Sequence, residues 1–165
     1  PIGVTYMVQA TNFQTKGSST STLRHVLVLK DIIITESHYL DLDGKNKLEE
    51  IEKDLDRLKR LRHPNIVIIY ESELKRCPQT GWNLYILMEY ARGGTLVDLL
   101  KKCGVVRLSL AREYMKQLLT ALEHIHNNNF IHKDIKASNV LFVEVPGTDD
   151  FIAKLSDINY HRKLL

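Results

Sequence analysis

The sequence predicts an α+β fold with two lobes, a β-rich first lobe holding one helix and a helical second lobe. Strand-like runs of β-branched and aromatic residues surround a single helical stripe in residues 1–90. A glycine-containing linker follows at 91–94, and beyond it two helical patterns precede a short hairpin. We therefore expect a first lobe at 1–90 and the linker with an incomplete second lobe at 91–165.

The first strands are indicated by composition. Residues 4–10 predict a strand, and residues 24–35 predict one long strand or two shorter ones, because β-branched and apolar residues dominate both. The polar stretches 14–22 and 36–46 are expected to be loops.

A helix is predicted at residues 47–62, and Pro64 ends it. Its apolar residues recur at steps of three and four, which is typical of one buried face. They are Leu48, Ile51, Leu55, Leu58 and Leu61. Residues 66–74 and 82–90 then predict a hairpin whose turn contains Pro78 and Gly81.

Two helices are predicted after the linker. Thr95 is expected to cap a short helix ending near Gly104, and Ser109 is expected to cap the next. Short strands are predicted at 140–143 and 152–155. The apolar stripe of the longer helix is Leu110, Tyr114, Leu118, Leu122 and Ile125.

Composition excludes several classes of protein. The 165 residues favour one domain, and 23 basic against 20 acidic residues leave a net charge of only +3. Cys77 and Cys103 are too few for a disulfide framework. The chain has neither an apolar run of the roughly 18 residues that span a membrane nor a signal pattern at its first residues. We expect a soluble cytoplasmic domain.

The chemistry-bearing segment is 130–141. Its His132, Asp134, Lys136 and Asn139 have the spacing of the protein kinase catalytic loop, His-Arg-Asp-x-x-x-x-Asn. In such a loop the aspartate accepts the substrate hydroxyl proton, the lysine faces the transferred phosphoryl group, and the asparagine holds a metal ion. A polar turn between a helix and a strand would not require four matches at fixed spacing.

The chain resembles a eukaryotic, bilobal protein kinase domain over nearly its whole length. Residues 63–67 are similar to the segment after the family's regulatory helix, residues 89–91 to its hinge, and Asp157 to its metal-binding aspartate. The resemblance implies a set of nucleotide and metal positions: Lys30, Asp54, Met88 as gatekeeper, Glu89, Ala91, Asn139 and Asp157.

Several departures fall on the parts that hold ATP. Only Gly3 and Gly17 precede Lys30, so no glycine-rich loop can be drawn, although backbone close to a phosphate needs glycine. Leu27 and Leu29 leave no small residue beside Lys30, where the family has alanine against the adenine. Lys30 is therefore interpreted either as the phosphate-pairing lysine or as a charge at a strand edge.

Two further departures concern the metal and the regulatory helix. Asp54 takes the place of the helix glutamate and is one methylene shorter, so its ion pair would be weakened; the alternative is an ordinary exposed helix charge. Asp-Ile-Asn at 157–159 replaces Asp-Phe-Gly. Together these departures predict a catalytically inactive domain in which Asp134, Lys136 and Asn139 are degenerate and no cofactor or metal is expected.

Among inactive relatives, the chain is similar to the family of pseudokinase domains that precede the kinase domain in the general-control, amino-acid-starvation kinases of the translation initiation factor 2 alpha subunit. The insert at 36–47 and the motifs at 137–141 and 160–164 carry this resemblance, and the fuller catalytic loop favours the fungal form. The resemblance implies stimulation of the adjacent kinase domain within a homodimer, without direct contact to nucleic acid or membrane.

Two other functions stay open. The chain can be an active or weakly active Ser/Thr kinase that binds ATP and Mg²⁺, because Asp134, Lys136, Asn139 and Asp157 are all present. It can also be a dimerising scaffold without a partner kinase. Dependence of signalling on Asp134 separates the active kinase from the other two.

Overall fold

The computed structural model describes residues 3–10, 25–34, 44–79 and 81–158. The predicted loop at 14–22, most of the polar insert at 36–46, and Asn159 lie outside the described residues. Ten elements are present in the described part, and they form the two lobes that the sequence predicts.

The first lobe is built on an antiparallel sheet of four strands in the order β1-β2-β4-β3. The strands are β1 (Gly3–Ala10), β2 (His25–Ile34), β3 (Ile69–Cys77) and β4 (Gly81–Glu89). The described part of the predicted region 24–35, residues 25–34, therefore forms one strand. The predicted strand at 66–74 begins later, because Ile66 instead forms a parallel bridge with Leu155 of the second lobe.

The helix of this lobe is α1 (Gly44–Arg60), and it covers the sheet with the predicted stripe. Ile51, Leu55, Leu58 and Leu61 are buried, and they join the sheet's Ile32, Ile34, Leu84 and Ile86 in one core. The helix begins before its predicted first residue, within the stretch expected to be loop. Basic residues fill its last turn, where they interact favourably with the helix dipole.

The second lobe begins with α2 (Leu96–Cys103), which starts as predicted. The Thr95 hydroxyl accepts from the Asp98 N–H, and the Asp98 carboxylate accepts from the Thr95 N–H at 2.9 Å. This reciprocal pair is a capping box. Gly104 ends the helix with a φ of 72°, a conformation that glycine adopts without strain.

The longer helix, α3 (Leu108–Asn127), differs from the prediction at its start. Ser109 lies inside the helix, and Arg107 precedes it without a side-chain cap. Leu110 is exposed, whereas Ala121 and Ile125 are completely buried, so the buried face lies toward the end of the helix. No helix in the described ranges is both long and apolar enough to cross a membrane.

The linker after β4 passes close to β5 (Val140–Glu144), which pairs with β6 (Phe151–Leu155). The Gly93 N–H donates to the Phe142 carbonyl at 3.0 Å, and the Phe142 N–H donates to the Gly94 carbonyl at 2.9 Å. A Cβ at Gly93 would lie 2.6 Å from the Phe142 Cβ, which explains the glycine at this position.

Strand β6 joins the two lobes through hydrogen bonds with the segment that precedes β3. The Asn65 side-chain amide donates to the Ala153 carbonyl at 2.9 Å. The Leu155 N–H donates to the Asn65 carbonyl, and the Val67 N–H donates to the Leu155 carbonyl, both at 2.9 Å. The first lobe is thereby held at a fixed position relative to β6.

A buried ion pair adds to this connection. The Lys154 ammonium lies 2.8 and 2.9 Å from the two carboxylate oxygens of Glu89, and the residues are 6% and 9% exposed. The Ile68 N–H donates to the same carboxylate at 2.7 Å. Three chain segments distant in sequence therefore meet at one charged pair.

We predict that Lys154→Met destabilises the fold by about 3–5 kcal/mol, because it leaves the Glu89 carboxylate buried without its cation. Denaturant unfolding followed by circular dichroism measures the change. Adding Glu89→Gln should recover part of the loss, since the uncompensated charge is then removed. Equal stability of Lys154→Met and the wild-type chain would contradict this role of the ion pair.

Candidate active site

A cavity of about 290 Å³ lies between the two lobes. Strands β1, β2 and β4 form its upper side, the linker forms its back, and β5 with the residues after β6 forms its lower side. The cavity is lined by Thr5, Val28, Lys30, Met88, Glu89, Tyr90, Ala91, Gly94, Thr95, Ser138, Leu141, Ser156 and Asp157.

Opposite charges from the two lobes meet in this cavity. The Lys30 ammonium donates to both carboxylate oxygens of Asp157, at 2.8 and 2.9 Å. Their side chains are 17% and 20% exposed. Because β2 lies between β1 and β4, Lys30 is not at a sheet edge, and the edge-charge interpretation is wrong. Asp157 has a φ of 59°, in the left-handed region that aspartate tolerates better than most residues.

The residues next to Lys30 also differ from the expectation. Successive side chains of a strand point to opposite faces, so Val28 lies on the same face as Lys30 and lines the cavity. Leu29 lies on the other face, in a groove that also includes Cys77 and Tyr85. Leu27 and Leu29, from which the lack of a small residue beside Lys30 is inferred, therefore do not line the cavity, and Val28 is the residue that shapes it.

Asp54, the predicted partner of Lys30, lies on α1. Its carboxylate is 3.5 Å from the Arg57 guanidinium, one turn further along the helix. This pair is at the outer limit of hydrogen-bond distance and is partly exposed, so it contributes little to stability.

The catalytic-loop residues are held by one another. Asn139 is buried, and its amide nitrogen donates to the Asp134 carbonyl at 2.8 Å and to the Asp134 carboxylate at 2.9 Å. The Ser156 N–H donates to the Asn139 carbonyl at 3.0 Å, which joins the loop to the residue before Asp157. The short 3₁₀ turn Ala137–Asn139 presents the asparagine to both partners.

The Asp134 carboxylate is accessible as well as positioned. Its side chain is 43% exposed, and the Lys136 ammonium lies 2.9 Å from it. An accessible carboxylate with a fixed orientation can accept a proton from a bound hydroxyl group. The adjacent lysine can stabilise negative charge that develops on a substrate.

His132 lies directly beneath this loop and is almost completely buried. Its Nδ1 accepts a long, 3.4 Å hydrogen bond from the Asp134 N–H. Burial lowers the pKa of His132, and this effect outweighs the opposite influence of nearby groups, including Asp134 and Asp157. The ring is therefore neutral at pH 7 and supports the loop by packing.

At the back of the cavity the linker offers main-chain groups. The Ala91 N–H donates to no acceptor among the described residues, while its carbonyl accepts from the Gly94 N–H at 3.0 Å. Met88 is buried behind it. The Glu89 side chain is held by Lys154, an interaction that the sequence did not predict.

The oxygen atoms of the site fit a magnesium ion held jointly with a phosphate substrate. No group of three or more His, Cys, Asp or Glu side chains in the described part of the chain forms a metal site. Mg²⁺ is commonly held by only one or two carboxylates plus substrate phosphates and water. Asp157 supplies such a carboxylate, and the Asn139 side-chain oxygen stays available because its nitrogen makes the contacts to Asp134.

Comparison with known proteins gives the following matches. The family model described as "Protein kinase domain" matches residues 23–164. Mitogen-activated protein kinase kinase kinase 3 of Arabidopsis thaliana is 36% identical over 120 residues, which is 70% of this chain and 17% of that protein. CBL-interacting serine/threonine-protein kinase 16 of the same plant is 33% identical over 66% of this chain and 22% of that protein.

A third relative is the eIF-2-alpha kinase GCN2 of Schizosaccharomyces pombe, 32% identical over 84% of this chain and 9% of that protein. The chain therefore spans less than a quarter of the length of each of these relatives. Among solved structures, Rad53 1-466 in complex with AMP-PNP matches with a TM-score of 0.66 and 22% identity over 97% of this chain and 40% of that one. That likeness confirms the bilobal fold.

The relatives contradict the expectation that the domain is catalytically inactive and not an enzyme. The relatives at 36% and 33% identity bear the names of protein kinases. The geometry also explains why the departures from the kinase motifs led to a wrong prediction of inactivity. Lys30 and Asp157 meet across the cavity although the residues around them differ from the family pattern.

We predict that the free energy of unfolding falls as the pH is lowered from about 7 to 5. In the unfolded chain His132 gains a proton near its ordinary pKa of 6.5, whereas burial in the folded chain lowers that pKa and so disfavours protonation. His63, whose pKa burial also lowers, contributes with the same sign. His132→Phe should show a smaller loss of melting temperature over this range. The exposed-site control His126→Gln should retain the wild-type pH dependence, and equal slopes for both variants would contradict the prediction.

Proposed function

Because the chain belongs to the protein kinase domain family, we propose that it transfers the γ-phosphate of ATP to serine or threonine hydroxyl groups of proteins. The observation that carries the proposal is the convergence of Lys30 and Asp157 in the interlobe cavity. Asp134 and Asn139 lie in the loop that the Asn139 carbonyl joins to Ser156, and Ser156 lines the same cavity. This is the alternative that the sequence left open.

In the proposed reaction, Asp134 accepts the proton of the attacking hydroxyl group. Lys136, 2.9 Å from that carboxylate, stabilises the negative charge of the transferred phosphoryl group. The exposure of both side chains supports this assignment, because a protein substrate must reach them. The accepted proton leaves Asp134 to solvent after transfer.

The nucleotide would be held by groups from both lobes. Lys30 would bind the phosphates, and Asp157 with the Asn139 side-chain oxygen would hold Mg²⁺, which neutralises phosphate charge when bound. The Ala91 N–H, which donates to no acceptor among the described residues, would donate to the adenine ring, and Val28 with Leu141 would enclose the ring. Without a glycine-rich loop, we expect weak ATP binding, with a KM on the order of 1 mM.

We further propose that the larger protein is an eIF-2-alpha kinase that regulates translation under amino-acid starvation. The relative of this type aligns with 84% of the chain, against 70% and 66% for the other two relatives described above. Phosphorylation of the initiation factor in preference to a general Ser/Thr peptide would support this assignment. The reverse preference would favour a kinase acting on other kinases. Three expectations stay predictions: an adjacent kinase domain as a partner, a second copy of the chain as a partner, and a cytoplasmic location.

We predict that Asp134→Asn lowers the rate of phosphoryl transfer by about 10²–10⁴-fold, because the amide cannot accept the hydroxyl proton. Transfer of labelled phosphate from ATP to a protein substrate, at ATP on the order of 1 mM, measures the rate. The amide keeps the contact with Asn139, so the fold should be retained.

The exposed Asp149→Asn, in the turn between β5 and β6, removes an equal charge and serves as the control. It should leave the rate unchanged. Full activity of Asp134→Asn would show that another group performs the proton transfer and would overturn the assignment.

A further inference from the structure

A second groove, which we call the basic groove, lies where the last turns of α1 and α3 meet. Its volume is about 420 Å³, and it shares no residue with the candidate active site. No acidic residue lines it. The lining residues are Arg57, Arg60, Leu61, Arg62, His124, Asn127, Asn128, Asn129 and Phe130.

The positive charge of the basic groove is only partly balanced by nearby carboxylates. Asp56 and Glu71 both pair with Lys59, at 2.9 and 3.1 Å. Arg60 and Arg62 form no ion pair with any residue in the described part of the chain. Two exposed arginines therefore keep their charge available to an external anion.

Arg57 is held in place at the groove. Its guanidinium carbon lies 4.4 Å from the centre of the Phe130 ring, a cation–π contact. Its Nη2 donates to the Asn128 carbonyl at 3.4 Å, and its Nη1 to the Asp54 carboxylate at 3.5 Å. These hydrogen bonds are long and use two of five N–H groups, so the arginine is oriented but retains donors.

Stability of the helix end explains only part of this arrangement. Cations in the last turn of α1 interact favourably with the helix dipole, which accounts for Arg57 and Arg60. Arg62 lies beyond the helix, where Nη1 makes only long contacts of 3.4 and 3.5 Å to the carbonyls of Leu61 and Ile69. A groove rich in hydrogen-bond donors, with no acid among its lining residues, suits an oxyanion.

We propose that the basic groove binds the phosphate group of a phosphorylated protein segment. Guanidinium groups make paired hydrogen bonds to phosphate oxygens. The combined charge of three arginines suits a phosphate dianion better than it suits a carboxylate, which carries a single charge. The site is a bounded groove rather than a long basic stripe. Its Phe130 ring is only 6% exposed, and its His124 ring already stacks on His63 with the ring centroids 5.2 Å apart, which argues against stacking on nucleic-acid bases.

The test measures binding to the full chain without ATP, so its result does not depend on catalysis. Fluorescence anisotropy compares a labelled peptide carrying one phosphoserine with its unphosphorylated twin, and inorganic phosphate and a single-stranded RNA oligonucleotide serve as competitors. The phosphorylated peptide should bind and its twin should not. Arg60→Gln combined with Arg62→Gln should weaken binding about tenfold, since each exposed charge pair contributes modestly.

Arg112→Gln is the matched control, because Arg112 is exposed on α3 and does not line the groove. It should bind like the wild-type chain. Arg57→Lys keeps a cation over the Phe130 ring but loses the forked donors, so it should also bind more weakly. Equal melting temperatures of the variants exclude loss of folding.

Equal binding by the double variant and the Arg112→Gln control would overturn the proposal. Competition by inorganic phosphate as strong as by unlabelled phosphopeptide would show that the groove takes free phosphate instead. Tighter binding of the RNA, with the same dependence on Arg60 and Arg62, would assign the groove to nucleic acid and also overturn it.

Discussion

The attachment of β6 to the first lobe determines the geometry of the candidate active site. Main-chain hydrogen bonds from residues 65–67 fix β6, and the buried pair of Lys154 and Glu89 binds the strand to the end of β4. Asp157 follows this strand after a single serine. Its position relative to Lys30 therefore depends on contacts that involve neither residue.

The attachment of β6 to the first lobe explains why Lys30 and Asp157 still meet, although the residues around them depart from the family pattern. Lys30 is carried by an inner strand, and Asp157 by the end of β6. The inactive interpretation gave weight to residue identities at single positions, such as Asn in place of Gly at 159. The positions of Lys30 and Asp157 in the cavity depend instead on the sheet and on β6. The residue types at single positions give no information about either.

Local patterns predicted most of the fold. The stripe of α1, the cap at Thr95 and the catalytic-loop spacing depend on residues a few positions apart, and periodicity reveals them. Ser109 was misplaced as a cap, because α3 begins at Leu108 without any side-chain cap. Strand β3 begins later than predicted, because Ile66 pairs with Leu155, far away in the sequence.

The candidate active site was less predictable, because its contacts join residues that are far apart in the sequence. Glu89 and Lys154 are 65 positions apart, and no local pattern links them. The alternation of β2 was a usable signal, since counting by twos from Lys30 gives Val28 rather than Leu29. The basic groove combines the ends of two helices, and only the folded chain brings them together.

Binding of ATP with and without Mg²⁺ is the most direct test of whether Lys30 and Asp157 form a nucleotide site. With a Kd on the order of 1 mM, we predict that Mg-ATP at about 10 mM stabilises the wild-type chain by about 1.4 kcal/mol, measured as a shift in thermal unfolding. Without Mg²⁺, or in Lys30→Met, the shift should be much smaller. No shift at millimolar Mg-ATP, or an equal shift in Lys30→Met, would contradict it.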